Sequence, residues 1–282
     1  MSTISLSKKG SFSRTIHYCW FGESPLPETA QKCIESWEKF FPDYEIKEWN
    51  ESNFDVNCCA YIQEAYQEKK WAFVSDYARF WILYHYGGLY FDTDVEVIKD
   101  MRDILEKGAF MGCETIGKCN PGLGLYASSG MGLYKEILDF YETIHFIQTD
   151  GTLCLETVVK YVSDILNRYG FADCNTLQKI CGNDWQIFVY PPEYFCPLNY
   201  FTGKLTITDN TRSIHHYTAT WQNEKYKRQA YVLKCLNETF GEKVGYKIWR
   251  AYTLPSRIQN KIATLGILGT VSFALKKIKR WK

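Results

Sequence analysis

The chain has 282 residues, of which 46% are apolar and 23% charged, with a formal net charge of +1. That balance excludes a disordered chain and removes any general electrostatic case for binding nucleic acid. The length suffices for one large core or two modest ones. Aromatic residues make up 17%, including 21 Tyr and 9 Trp, enough for an aromatic core and for platforms on which a sugar or a base can stack. Eleven cysteines include one adjacent pair, Cys58-Cys59, and no C-x-x-C, a usage that reads as reduced thiols in a cytoplasm. The first fifteen residues are polar and Ser-rich, without the apolar run of a secretion signal.

In chain order, Thr15 to Phe21 is a short apolar-aromatic run that predicts a first strand. Pro27 opens a helix through Phe40 that carries Cys33, Ile34, Trp37 and Phe40 on one stripe. Tyr44 to Trp49 alternates as a half-buried strand does, and Asn57 to Lys69 reads as a second helix. Trp71 to Tyr86 has no breaker until Gly87-Gly88, where a helix stops. Asp76 and Arg79 lie three apart and share a face of this helix, either as an internal ion pair or as a polar site at a pocket edge. Val95 to Ile98 can form another strand, and Met131 to Phe146 and Thr157 to Arg168 read as helices. Pro191 to Pro197 reads as an irregular aromatic loop. The alternation predicts α/β layers around a Rossmann-like sheet.

The chemistry-bearing stretch is Gly87-Gly88-Leu89-Tyr90-Phe91-Asp92-Thr93-Asp94-Val95. Side chains alternate along a strand, so Asp92 and Asp94 point the same way if the strand continues to its tip. Two carboxylates so placed repel unless a cation lies between them. Oxygen ligands of this kind suit Mg²⁺ or Mn²⁺, ions that also suit nucleotide phosphates.

Together these segments resemble glycosyltransferase family 32, which includes the yeast initiating mannosyltransferase and many bacterial capsular polysaccharide transferases. The stretch from Phe73-Val74-Ser75-Asp76-Tyr77-Ala78-Arg79 to Asp92-Thr93-Asp94-Val95 is similar to that family's sugar-binding D-x-D region, and to the glucosyltransferase domain of the large clostridial toxins. Ile16 to Gly22 with Pro25-Leu26-Pro27 resembles the family's first strand and nucleotide-binding turn. Ile214 to Trp221 resembles its closing His-x(5)-Trp element. The three matches come in the family's order. The resemblance implies a GT-A fold, with a mixed sheet flanked by helices over residues 1–252.

It also implies roles. Trp20, which spacing alone leaves equally a core residue, would stack on the uracil of a UDP-sugar donor. Asp76 would accept hydrogen bonds from sugar hydroxyls, and Arg79 would pair with sugar or phosphate oxygens. Asp92 and Thr93 would touch the donor. Asp92, Asp94 and His215 would hold Mn²⁺ or Mg²⁺, and a one-residue slip would exchange His215 for His216. Trp221 would donate its indole N–H to the β-phosphate. Asn120 and Glu156 fall where acceptor-side residues could lie, although either also reads as structural. The implied reaction is retaining transfer of a hexose, galactose or glucose favoured, to a lipid-linked saccharide in capsular or surface polysaccharide synthesis. Two rivals stand beside it. A phosphatase of the haloacid dehalogenase type also begins with D-x-D, but wants Thr or Val where Glu96 stands. A non-catalytic nucleotide-sugar binder on a transferase fold is the other.

Residues 253–282 carry a separate signal. From Gln259 there is no acidic residue, while Lys261, Lys276, Lys277, Lys279, Arg280 and Lys282 are basic. Ile262, Leu265, Leu268, Val271, Leu275, Ile278 and Trp281 recur at helical spacing. The uncharged stretch is shorter than the roughly 20 residues that span a bilayer. A basic amphipathic helix of this kind predicts peripheral docking on an anionic membrane, at the cytoplasmic face, with packing onto the domain as the alternative.

Overall fold

The structure, a computed structural model, describes residues 13–200, 202–218, 224–241 and 244–255. The chain divides into two compact units, one of residues 1–198 and 205–221, the other of 199–204 and 222–282. The sequence-based boundary lay at Tyr252.

In the first unit the elements alternate as the sequence reading expects. Strand β1 (Thr15–Cys19) leads into helix α1 (Glu28–Phe40), then strand β2 (Glu45–Trp49), helix α2 (Ala60–Gln67) and helix α3 (Trp71–Tyr86). Strands β3 (Gly88–Tyr90) and β4 (Val95–Val97) and the short helix α4 (Arg102–Leu105) follow. A hairpin of β5 (Phe110–Thr115) and β6 (Lys118–Ala127) comes next, then helices α5 (Gly132–Glu142) and α6 (Val158–Asn167). Strands β7 (Gln178–Cys181) and β8 (Gln186–Tyr190), helix α7 (Pro192–Phe195) and strand β9 (Ser213–His215) complete the unit. The Pro191–Pro197 segment, expected as an irregular loop, contains α7: Pro192 sits in the first helical turn, where its missing N–H costs nothing.

Seven strands form one mixed sheet in the order β2-β1-β3-β6-β5-β8-β7. β1 is parallel to β2 and β3, whereas β6 is antiparallel to β3 and β5. A second, two-stranded sheet pairs β4 with β9. Strand alternation divides the core into two clusters, one on each face. Tyr90, Met111 and Leu125 pack with α2, α3, α5 and α6, whereas Leu89, Phe110 and Tyr126 pack with α1, α4 and α7. The α1 stripe is buried at Cys33 and Trp37, and Ile34 and Phe40 form its half-buried rim.

Helix α3 stops at Gly87, whose φ is 64° and whose N–H still donates to Leu83. The next residue enters the sheet between β1 and β6. Gly88 has φ 101°, and a Cβ there would lie 2.6 Å from the Thr15 carbonyl oxygen, so the tight passage from helix to strand requires glycine. Buried His17 sits beneath it, accepting from Trp49 Nε1 at Nδ1 (3.1 Å) and facing the Gly87 carbonyl with Nε2 (3.0 Å).

The second unit contains helix α8 (Glu224–Phe240) and a helix over 244–255. They meet at Gly245, where a Cβ would fall 2.4 Å from Asn237 Oδ1. Trp249 Nε1 donates to the Gln229 carbonyl at 2.9 Å. Among the described residues no helix is long and apolar enough to cross a membrane.

Candidate active site

The D-x-D segment is the link between the two sheets. β3 ends at Tyr90, and residues 93 and 94 form a turn before β4 begins. The expectation that Asp92 and Asp94 share one strand face is therefore corrected: the turn breaks the alternation, and the two carboxylates face different basic side chains. The turn is held at its base, where Asp92 N–H donates to Gly122 O (3.1 Å) and Val95 N–H to Asp92 O (3.0 Å). Helix α1 clamps the exit, with Trp37 Nε1 donating to Val95 O (2.7 Å) and Val97 N–H donating to Ser36 Oγ (2.9 Å).

Asp92 faces α3. Arg79, 3% exposed, reaches Asp76 Oδ1 at 2.9 Å and Asp92 Oδ1 at 3.2 Å through the same nitrogen. Its Nε donates to the Ser75 carbonyl (3.0 Å), and its guanidinium lies 5.1 Å from the centre of the Tyr90 ring. Tyr90 also donates its hydroxyl to Asp92 Oδ1 (2.9 Å). Asp76 and Arg79 thus form the internal ion pair that was one of the two sequence readings, and the pair extends to Asp92. Burial pushes Asp76 up to about 7, against the pull of Arg79, and the nearby Asp92 charge adds to the rise. A buried cation between two carboxylates resists removal of any partner, because the remaining charge would be left dry.

Asp94 faces β9. Its Oδ1 lies 3.0 Å from His215 Nε2, and its Oδ2 accepts from Thr218 N–H (2.9 Å) and Thr218 Oγ1 (3.1 Å). Burial alone would raise Asp94, but attraction to His215 and these hydrogen bonds outweigh it and hold the carboxyl at about 2. Burial likewise opposes the imidazolium of His215, and Asp94 outweighs it, so His215 is raised above its ordinary value. The β4–β9 register explains which histidine faces the site. His215 pairs with Val95 and is buried, whereas the next residue turns outward, so that exposed His216 meets Glu96 at 2.8 Å.

Residues 27–111 match the family described as "Glycosyltransferase sugar-binding region containing DXD motif". The chain carries a glycosyltransferase sugar-binding region. This region spans α1 to the start of β5 and holds Asp76, Arg79, Asp92 and Asp94, whereas Trp20, His215 and Trp221 lie outside it. The chain is also similar to "Inositol phosphoceramide mannosyltransferase 1" of Schizosaccharomyces pombe (strain 972 / ATCC 24843), 32% identical over 120 residues. That alignment covers 38% of this chain and 36% of the relative, so the chain spans about a third of the length of the curated relative it matches. Among solved structures, similarity is found to "PaToxG Glycosyltransferase", with TM-score 0.41 and 14% identity over 56% of this chain and 68% of that one. Another is a glycosyltransferase involved in glycosylation of the major capsid of PBCV-1, with TM-score 0.44 and 12% identity over 72% and 94%.

The donors beside the sugar-binding region suit a divalent cation completed by ligand oxygens. Asp94 contributes a carboxylate kept ionised, His215 the imidazole Nε2 that faces it, and Asp92 its Oδ2. Among the described residues no ready-made group of three His, Cys, Asp or Glu could hold a metal ion. Mg²⁺ sites of this chemistry commonly use one or two carboxylates plus substrate phosphates and water, which is what Asp94 and His215, with Asp92 beside them, can complete.

Other expected residues fall as follows. Trp20 follows β1, half-buried, with Nε1 donating to the Ser24 carbonyl (2.6 Å). Thr93 is half-buried at the turn. Asn120 joins the site through Gly122, as described below, whereas Glu156 is exposed just before α6, with one oxygen accepting from Thr157 N–H. Trp221 and the basic tail from Gln259 lie outside the described residues. The sequence reading missed Tyr90 and Thr218. Tyr90 stands two residues before Asp92, a spacing that alone could have found it.

Proposed function

We propose that the protein is a metal-dependent glycosyltransferase that takes a hexose from a nucleoside-diphosphate sugar, UDP-sugar favoured, and passes it to a lipid-linked saccharide. The observation that carries this reading is the convergence of the Asp76–Arg79–Asp92 network and the Asp94–His215 pair on one turn, beside the sugar-binding region.

In this reading Arg79 and Asp76 bind the hexose, an Arg fork donating to sugar oxygens and a carboxylate accepting from hydroxyls. Asp76 shares charge with Arg79, so it can accept a sugar hydroxyl without leaving an unpaired buried anion. Asp94 and His215 hold Mn²⁺ or Mg²⁺, which supplies positive charge against the leaving diphosphate. Trp20 and Trp221 complete the donor site at the base and at the β-phosphate. No carboxylate is assigned as a nucleophile, in keeping with retention by front-face attack. Galactose and glucose lead as the hexose, within capsular or surface polysaccharide synthesis. The curated relative is named for mannosyl transfer to a ceramide derivative, which supports an amphiphilic acceptor and adds GDP-mannose to the donors to be tried. Peripheral docking of residues 253–282 at the cytoplasmic membrane face would bring the site to such an acceptor.

The test is nucleoside diphosphate release from a panel of UDP-sugars and GDP-mannose, in Mn²⁺ and in excess EDTA. The reading expects release from at least one donor in Mn²⁺ and none in EDTA. Release of phosphate from simple phosphate esters would mark a phosphatase, and donor binding with no turnover on any acceptor would mark a binding protein.

A further inference from the structure

The β5–β6 hairpin departs from regular pairing at two places. Gly112 pairs with Asn120 while Met111 pairs with Leu125, so residues 121–124 leave the ladder as an excursion of β6. Cys113 pairs with Cys119 while Thr115 pairs with Lys118, which leaves Glu114 as the extra residue of a bulge. Bulges re-aim side chains, and they gather beside functional sites. Here the excursion carries Gly122 to the D-x-D turn. A Cβ on Gly122 would lie 2.0 Å from Asp92 Oδ2, and its φ is ordinary, so glycine is needed for the close approach and not for the backbone angle. The bulge aims Glu114 at Asn120, whose Nδ2 donates to Glu114 Oε2 (3.0 Å) while its Oδ1 accepts from Gly122 N–H (2.8 Å). An amide is oriented by its partners, and Glu114 accepts only, so it fixes which end of Asn120 faces Gly122.

We propose that Glu114 is a positioning residue for Asp92, acting through Asn120 and Gly122. Asp92 Oδ1 is taken by Arg79 and Tyr90, and among the described residues Oδ2 has no hydrogen-bond partner. Oδ2 is thus the oxygen left for a ligand, and the wall that sets its direction is Gly122. The ligand side of the proposal rests on the donor-binding reading above.

The experiment measures UDP binding to the full chain in Mn²⁺ by calorimetry, with crystal structures of the variants. Outer partners of this kind are worth about 10- to 100-fold in affinity. Glu114→Ala is expected to bind UDP at least about tenfold more weakly than the wild type, whereas Glu114→Gln, which still accepts from Asn120, stays within about twofold. Equal binding by Glu114→Ala, or an equal loss in both variants, overturns the proposal. The crystal structure of Glu114→Ala judges positioning without reference to binding: the Asp92 carboxylate turned away from Gly122 upholds it, and an unmoved Asp92 overturns it. A wild type that binds no UDP in Mn²⁺ defeats the donor reading, and the position of Asp92 in the variant crystal then decides the positioning claim.

Discussion

His215 Nε2 and Asp94 Oδ1 lie 3.0 Å apart, brought together by the two-stranded ladder of β4 and β9 that the D-x-D turn feeds. The same ladder sends His216 outward to Glu96, with 40% of its side chain exposed. His215→Ala should therefore abolish most Mn²⁺-dependent UDP binding, while His216→Ala changes binding less than about fivefold, because exposed pairs are worth about 0–1 kcal/mol. Calorimetry on both variants checks this, and equal losses would contradict the register of β9.

Arg79→Leu removes the cation that Asp76 and Asp92 share. Breaking such a buried network costs about 3–5 kcal/mol. The expected result is a large drop in the urea midpoint, together with loss of donor binding. A variant as stable as the wild type would show that the two carboxylates find other partners.

Burial holds His17 down at about 4 from its ordinary 6.5. The folded protein therefore binds fewer protons here than the unfolded chain between those values, and His17 stabilises fully only above pH 6.5. That contribution is lost as pH falls from 6.5 towards 4, by about 2 kcal/mol at pH 5. Asp76, raised to about 7, works in the opposite sense over an overlapping range, so the comparison must be differential. Urea unfolding at pH 7 and pH 5 should show a shallower loss on acidification for His17→Gln than for the wild type. Parallel losses would mean that His17 is protonated in the folded state.

The acid-free tail calls for its own measurement. Truncation after Tyr252 should leave UDP binding unchanged, because every assigned donor residue precedes it, and should abolish co-sedimentation with anionic vesicles at low salt. The wild type should dissociate as salt rises, since surface attraction is screened within about 8 Å at physiological ionic strength. Wild-type protein left in the supernatant at low salt would rule out docking.

Much of the first unit was legible because periodicity and breakers speak locally: α3 runs over the residues read from its lack of a breaker and the following Gly87-Gly88. The hairpin 110–127 was not read as strands, since its bulges and the Pro121-Gly122-Leu123-Gly124 excursion interrupt the period-2 signal. Asp76, Arg79, Asp92 and Asp94 are singled out by spacing and resemblance together. What spacing could not supply was direction: the turn at Asp94 sends its carboxylate to β9 while Asp92 returns to α3. Glu114 was illegible because its meaning depends on an unpaired register position.

The most direct test of the metal-dependent donor site is a crystal of the full chain grown with Mn²⁺ and UDP, with anomalous data collected at the manganese edge. A manganese peak at coordination distance from both Asp94 and His215 Nε2 is expected, with the UDP phosphates against it and Arg79 still paired with Asp92. A manganese peak elsewhere, or UDP bound with the Asp94–His215 hydrogen bond intact and no metal beside it, would show that Asp94 and His215 do not hold the metal.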